Sequence, residues 1–404
     1  MKVVFGSVPK DSGTFTFYRN VRPELEKLGI SLYCVSVGAV QKGLWQDEYA
    51  DDNCVLLAPN HHRVKTLSKV FVDWCIANKI DFVMGINSEP ILSAIPHLPR
   101  SIKAVSRCAN AFDHGYKITM SGRERLMAIF ALTPRLRDDL ISKYGADPEL
   151  MHLIPNGIDP SPYDQLRRDS GADSNVLSIG FLGRLEHVQK GVMHIPSIVE
   201  ELMKRKIPFH LTIAGKGKDC QRLETALQQA ILDGQVSMIG ALPPNEVPEF
   251  LTEQDIFLFP SHFEGCPNAL LEAMMAGCVS MSWVINGITD FVLRDGNTGF
   301  LFETGDYRGI AERIGKLDKD RRLVSQLGIN SAKEARDRFT PERTAKAYFE
   351  VLKTLMDSDL PEVAVKPWSK FKGDPNFKHF GDPWMPRSWQ FWLKKHLKRT
   401  TALW

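Results

Sequence analysis

The 404-residue sequence has no CxxC pair, no apolar run near the roughly 18 residues of a membrane span, no GxGxxG after an opening strand and no internal repeat. Each absence excludes something. Seven cysteines, at 34, 54, 75, 108, 220, 266 and 278, are an odd number without metal or redox spacing, so reduced thiols in a cytoplasmic protein are expected. Without a spanning segment, any membrane contact is peripheral, and the opening MKVVFGS reads as a strand rather than a signal peptide. The missing dinucleotide fingerprint argues against a dehydrogenase. The adjacent His61 and His62 have no carboxylate or cysteine at ligand spacing, so neither a metal nor a cofactor is expected. A net charge of +3 is too small for a dedicated nucleic-acid binder.

What the chain does have is 43% hydrophobic and 25% charged residues, the balance of a globular protein with a sizeable core. Its length suggests two domains. Strand and helix signals alternate from the start: a strand over 2–5, a helix through Leu28-Gly29, strands SLYCVSV, DFVMGI and KAVSR, a helix near 122–130, a strand FALTP and a helix stopped at Gly145. The proline-rich run HLIPNGIDPSPYD interrupts this pattern. It restarts with VLSIGFLGR, a helix near 191–205, FHLTIAG, a helix over 219–232, QVSMIG and DIFLFP, then helices near 306–316 and 340–357. Two Rossmann-like, doubly wound α/β domains facing a cleft follow from this order.

The stretch HFEGCPNALLEAMMAGC carries the chemistry. Pro267 suits the first turn of a short helix and Gly277 its left-handed stop. Because this helix directly follows the strand DIFLFP, its N-terminus, over Gly265, Cys266, Pro267, Asn268 and Ala269, points into the cleft and favours an anion. Glu264 lies in the loop beside it. Glu272 lies one turn beyond Asn268, where a carboxylate can accept two hydrogen bonds from a diol. As an isolated pair these are ordinary surface charges, but three further stretches accompany them. GFLGRLEHVQKG sets Arg184 and Lys190, after Gly183, where two cations reach a diphosphate; AGKGKD supplies Gly215 and Gly217 at a strand end; NGITDFVLRDGNTGFLF offers a loop whose amides can hold hydroxyls or phosphate. Together they describe a nucleotide-sugar site.

These motifs, in the order IPNGID, GRLEHVQKG, AGKGKD, EGCPNALLEAMMAG and DGNTGFLF, resemble the family 4 retaining glycosyltransferases of GT-B fold, whose two glutamates are separated by seven residues, here Glu264 and Glu272. The resemblance covers about residues 1–357 and is more specific in the second half. It implies an acceptor domain over 1–156, a donor domain over 157–340, and a helix over 341–357 crossing back to the first domain. It also implies that Arg184 and Lys190 grip the diphosphate, Glu272 binds the ribose and Glu264 contacts the donor sugar. The glycine-rich turn after the first strand corresponds to Ser12-Gly13-Thr14. The family's first-domain histidine has no counterpart in KAVSRCAN, and the nearest histidine is His114. The resulting expectation is a metal-independent transfer from a nucleoside-diphosphate sugar to a glycan or lipid-linked acceptor. A nucleotide-sugar epimerase or a non-catalytic nucleotide-sugar binder on the same fold are its rivals.

Residues 358–404 lie beyond the resemblance. Nine Lys/Arg and three Asp/Glu fall within 361–404, a net of +6 that leaves the rest of the chain at −3. Asp357-Ser358-Asp359 imitates a metal-binding DxD but reads as a solvated helix end. As a helix, residues 388–404 put Trp389, Trp392 and Leu393 on one side and Lys394, Lys395 and Lys398 on the other. That pattern suits an anionic membrane surface, and equally a stripe packed on the first domain.

Overall fold

The computed structural model describes residues 1–164, 166, 176–359 and 362–377. The first domain is a seven-stranded sheet of β1 (Lys2–Phe5), β2 (Ser31–Val37), β3 (Cys54–Leu57), β4 (Phe82–Gly85), β5 (Lys103–Cys108), β6 (Leu126–Ala131) and β7 (Met151–Leu153), in spatial order β3-β2-β1-β4-β5-β6-β7. The second is a six-stranded sheet of β8 (Leu177–Leu182), β9 (Phe209–Ala214), β10 (Val236–Gly240), β11 (Ile256–Phe259), β12 (Val279–Trp283) and β13 (Gly299–Phe302), in order β10-β9-β8-β11-β12-β13. Every neighbouring pair is parallel. Strand order reverses at β1/β4 in one sheet and at β8/β11 in the other, and in such sheets ligands settle beyond the strand ends at that reversal.

Local chemistry fixes the helices that matter. Helix Gly13–Lys27 starts where the Ser12 hydroxyl accepts the Phe15 N–H at 3.3 Å. Gly145, at φ 67°, stops helix Pro134–Tyr144. The short helix Asn268–Met275 follows β11 and is capped by Pro267, so its first residue is Asn268. The last long helix, Pro341–Met356, buries Tyr348 against Phe17 and Phe130, with ring centroids 5.6 and 4.5 Å away. Ala345, Tyr348 and Leu352 thereby join the core of the first domain.

Several expectations are corrected. No helix occupies 122–130: Gly122 turns the chain at φ 63°, a short 3-10 turn covers Arg123–Arg125, and Leu126–Ala131 is a strand with all six residues buried. A strand buried on both faces loses its alternation and looks like a buried helix. The helix expected over 219–232 breaks at Leu227 into Cys220–Ala226 and Gln228–Leu232. β3, β12 and helix Arg321–Arg338 were not foreseen, and the loop expected over 286–302 contains helix Thr289–Val292 and strand β13.

After the last helix, residues 362–377 run back over the first domain. The Lys366 N–H donates to the Pro96 carbonyl at 2.9 Å, Trp368 stacks on His97 at 4.5 Å, and the Asp374 N–H donates to Ser93 Oγ at 2.9 Å. The amphipathic segment expected over 388–404 lies outside the described residues.

Candidate active site

Two cavities meet between the sheets. The larger, about 510 Å³, is lined from the first domain by Arg19 and Asn20 and from the second by Gly183, Arg184, Lys216 and Glu272. The smaller, about 240 Å³, holds Gly13, Arg107, Lys190, Glu264, Asn268 and Ala269 along its wall. Arg184 lines both. The two cavities are thus neighbours at the β8/β11 reversal, with the Arg184 side chain on the border between them.

In the smaller cavity, Lys190 Nζ stands 2.6 Å from Glu264 Oε1, with side chains only 16% and 6% exposed. A buried pair of this kind keeps both charges where water cannot screen them. The ammonium also lies 5.8 Å from the Phe259 ring centroid. The N-terminus of Asn268–Met275 opens beside this pair, with Gly265, Cys266, Asn268 and Ala269 in the wall. Arg184 is more open, at 65% side-chain exposure, and reaches Glu186 at 3.3 Å.

The larger cavity contains Glu272, whose carboxyl is pushed up to about 7 by burial, against the opposing pull of Arg19 and Lys190. Near neutrality it stands between a hydrogen-bond donor and an acceptor. Gly183 and Gly215 are there because backbones touch: a Cβ on Gly215, at φ 153°, would lie 1.9 Å from the Gly183 carbonyl oxygen.

Sequence reasoning overlooked Arg107. It is the penultimate residue of β5, is 2% exposed and sits 3.9 Å over the Phe17 ring. Its Nη2 donates to Asn156 Oδ1 at 2.5 Å, and Asn156 Nδ2 donates to Asn268 Oδ1 at 2.7 Å. A cation of the first domain thus holds the first residue of the short helix in the second. The available signal was a charge closing an apolar strand in KAVSRCAN, where a histidine had been sought.

His114 is not at this place. It is exposed at the start of helix Asp113–Thr119, its ring 5.7 Å from Phe377, and it lines neither cavity. Gly217 and Pro267 also stay out of both linings; a Cβ on Gly217 would meet the Leu185 carbonyl oxygen at 2.2 Å, so that glycine serves backbone packing. The loop 286–302 lines neither cavity, and its Gly287 instead accepts the Arg135 N–H at 3.2 Å. Gly265 lines the smaller cavity and also carries a domain contact, since a Cβ there would lie 1.9 Å from the Ala109 carbonyl oxygen. Cys266 is half-buried in the same wall, its thiol pushed up to about 11 by desolvation.

Just outside the cavities, His187, His194 and His262 converge, although 75 positions separate the first from the last. Burial, and then His262, holds His194 down at about 4; burial likewise lowers His187.

Residues 162–334 match the family described as glycosyl transferases group 1. Among curated relatives, the chain is 29% identical to the 2-deoxystreptamine glucosyltransferase of Streptomyces kanamyceticus, over 42% of this chain and 45% of that one. It is 25% identical to the alpha-maltose-1-phosphate synthase of Mycolicibacterium smegmatis, over 60% and 68%. It is 31% identical to the putative colanic acid biosynthesis glycosyltransferase WcaL of Escherichia coli, over 45% and 46%. The matched stretch thus spans about half to two-thirds of these relatives. Among solved structures, HepE of Anabaena in complex with UDP superposes with a TM-score of 0.71 at 16% identity, over 88% of this chain and all of that one. A glycosyltransferase from Rickettsia africae gives 0.71 at 15%, over 88% and 98%. The second domain therefore carries a glycosyltransferase group 1 domain, in a chain whose two parallel-sheet domains form a GT-B fold.

Proposed function

We propose that the protein transfers a sugar from a nucleoside-diphosphate sugar to an acceptor hydroxyl of a glycan or lipid-linked glycan, with retention and without a catalytic metal. The observation that carries this reading is the cation between the cavities: Arg184 borders both, with Lys190 in the smaller one beside the N-terminus of Asn268–Met275. A nucleoside fits the larger cavity with its ribose on Glu272, and the diphosphate then turns past Arg184 into the smaller one.

In this geometry the bond from the anomeric carbon to the diphosphate oxygen breaks and its electron pair leaves with the diphosphate. Arg184, Lys190 and the helix N-terminus stabilise that charge, which is the task a metal would otherwise perform. Lys190 is held in place by Glu264 until the phosphate arrives. The acceptor oxygen bonds to the anomeric carbon from the face the diphosphate vacates, and its proton passes to the departing diphosphate oxygen. Same-face replacement keeps the anomeric configuration. Arg107, through Asn156 and Asn268, fixes the domain approach that closes the smaller cavity.

The relatives' names support transfer of a sugar, and HepE was solved with UDP, so uridine diphosphate is the first nucleotide to try. The experiment screens nucleoside diphosphates for binding, then follows their sugars with candidate acceptors. Release of free nucleotide with formation of an α-configured glycoside from an α-configured donor is expected. Epimerised donor, or binding with no nucleotide released under any acceptor, would overturn the reading in favour of its rivals.

A further inference from the structure

Three histidines beside the cavities have a chemistry of their own. His187 opens the short helix His187–Lys190, His194 lies in the turn Val192–His194, and His262 follows β11. Each offers a ring nitrogen within 4.8 Å of the other two. The rings stand edge to face, with centroids 4.9 to 5.3 Å apart. Their nitrogens therefore converge on one point.

Each of the three has a partner on Nδ1, and His187 accepts the Met193 N–H there at 3.3 Å, which puts its own proton on Nε2. His194 Nδ1 lies 2.7 Å from the Tyr307 hydroxyl and His262 Nδ1 lies 3.1 Å from the Val188 carbonyl, which leaves both Nε2 atoms facing each other at 2.7 Å. The carbonyl accepts only, so His262 carries its proton on Nδ1 and presents a bare Nε2. His194 then donates its Nε2 proton to His262 and accepts from Tyr307. This is the outer-shell arrangement that orients metal-ligating imidazoles.

We infer that His187, His194 and His262 form a structural site for a divalent transition ion of the zinc type, with a fourth position open to water. Three imidazoles without a carboxylate suit zinc, copper or nickel rather than magnesium or calcium. Tetrahedral zinc with nitrogen ligands at ~2.0–2.1 Å spaces them ~3.3 Å apart, so the 2.7 Å pair opens by about half an ångström and His187 moves in. His194 can ligate through Nε2 by moving its proton to Nδ1, where the Tyr307 oxygen accepts it, and His187 by moving its Nε2 proton to Nδ1 as it swings away from the Met193 N–H, with no net gain or loss of protons. The ion would join the segment bearing Lys190 to the loop bearing Glu264, already linked where the His262 N–H donates to the Gln189 carbonyl at 2.8 Å. None of the three lines either cavity, so the ion stands apart from the diphosphate.

The test titrates zinc chloride, then cobalt chloride, into the full-length chain after chelation, beside H194A/H262A and the single variant H187A. One equivalent of zinc should bind, the visible bands of tetrahedral cobalt should appear, and Tm should rise by on the order of 5 °C at a hundredfold excess over Kd. Affinity should fall at least ~100-fold in the double variant and ~10-fold or more in H187A, while magnesium does nothing. If the double variant does not fold, H187A and H262Q decide. Absence of saturable zinc binding, or binding equal in wild type and variants, overturns the proposal. The readouts need no substrate, so failure here is separable from failure of the transferase reading.

Discussion

Glu272 is the residue whose behaviour with pH is most exposed to test. Its folded-state value, about 7 against an ordinary 4.5, means the folded protein holds the proton longer than the unfolded chain. Its stabilising contribution is therefore fully present below about pH 4.5 and lost as pH rises through about 7. Ligand binding should run the other way, because a ribose diol donates to the carboxylate and favours its ionised form. Nucleotide affinity should rise from pH 6 to 8, and calorimetry in buffers of different ionisation enthalpy should show proton release. E272Q should remove the part of that dependence not due to the phosphates; an unchanged profile would remove Glu272 from the ribose. E272A should weaken nucleotide binding by roughly 10- to 100-fold. K190A and R184A should instead lower kcat, by ~100-fold or more for the buried Lys190 and less for the open Arg184, with nucleotide binding largely kept. Full turnover in K190A would refute the diphosphate assignment.

At the scale of elements, the short helix Asn268–Met275 shows what the sequence made legible. Its strand, loop and glycine stop follow from residue types at fixed offsets, and so do Glu264 and Glu272 on either side of its start. Its neighbour across the cleft was not legible, because the Arg107–Asn156–Asn268 relay joins residues up to 161 positions apart and depends on how two domains meet. The histidine cluster was hidden for the same reason, and His114 was misplaced because nearness in sequence stood in for nearness in space. β6 shows the other limit: six buried apolar residues have no period to read. Gly265 offers the sharpest element-scale test. G265A puts a methyl group 1.9 Å from the Ala109 carbonyl, a contact with the opposite domain. Each domain should fold normally and the larger cavity should still bind nucleotide, while turnover falls by at least ~10-fold as the domains are held apart. Wild-type turnover in G265A would show that the closed approach is dispensable.

For the molecule as a whole, no helix among the described residues is long and apolar enough to cross a membrane, which leaves surface attachment through residues 388–404 to experiment. The strap over residues 362–377 anchors the root of that tail on the first domain. Full-length protein should sediment with anionic vesicles at low salt and less at high salt, each basic residue near the surface contributing ~1 kcal/mol, and a chain ending at Pro386 should not. Equal sedimentation of both would assign the apolar stripe to packing. Chelation with EDTA should lower Tm if the histidine ion is present, yet leave turnover intact, since the cations that face the diphosphate belong to the protein; restoration of lost activity by manganese would contradict this. One consequence follows from the path of the chain. It passes between domains at 155–158 and returns at 339–341, and the two passages lie side by side, the Ile158 N–H donating to the Phe339 carbonyl at 2.8 Å and the Thr344 hydroxyl to the Pro155 carbonyl at 3.0 Å. Because Tyr348 and Leu352 then complete the core of the first domain, that domain is assembled from the two ends of the chain. A ribosome making this protein cannot finish its first domain until it has made its second, and the amino-terminal half must wait, with Phe17 and Phe130 uncovered, for a helix that is made only after the second domain.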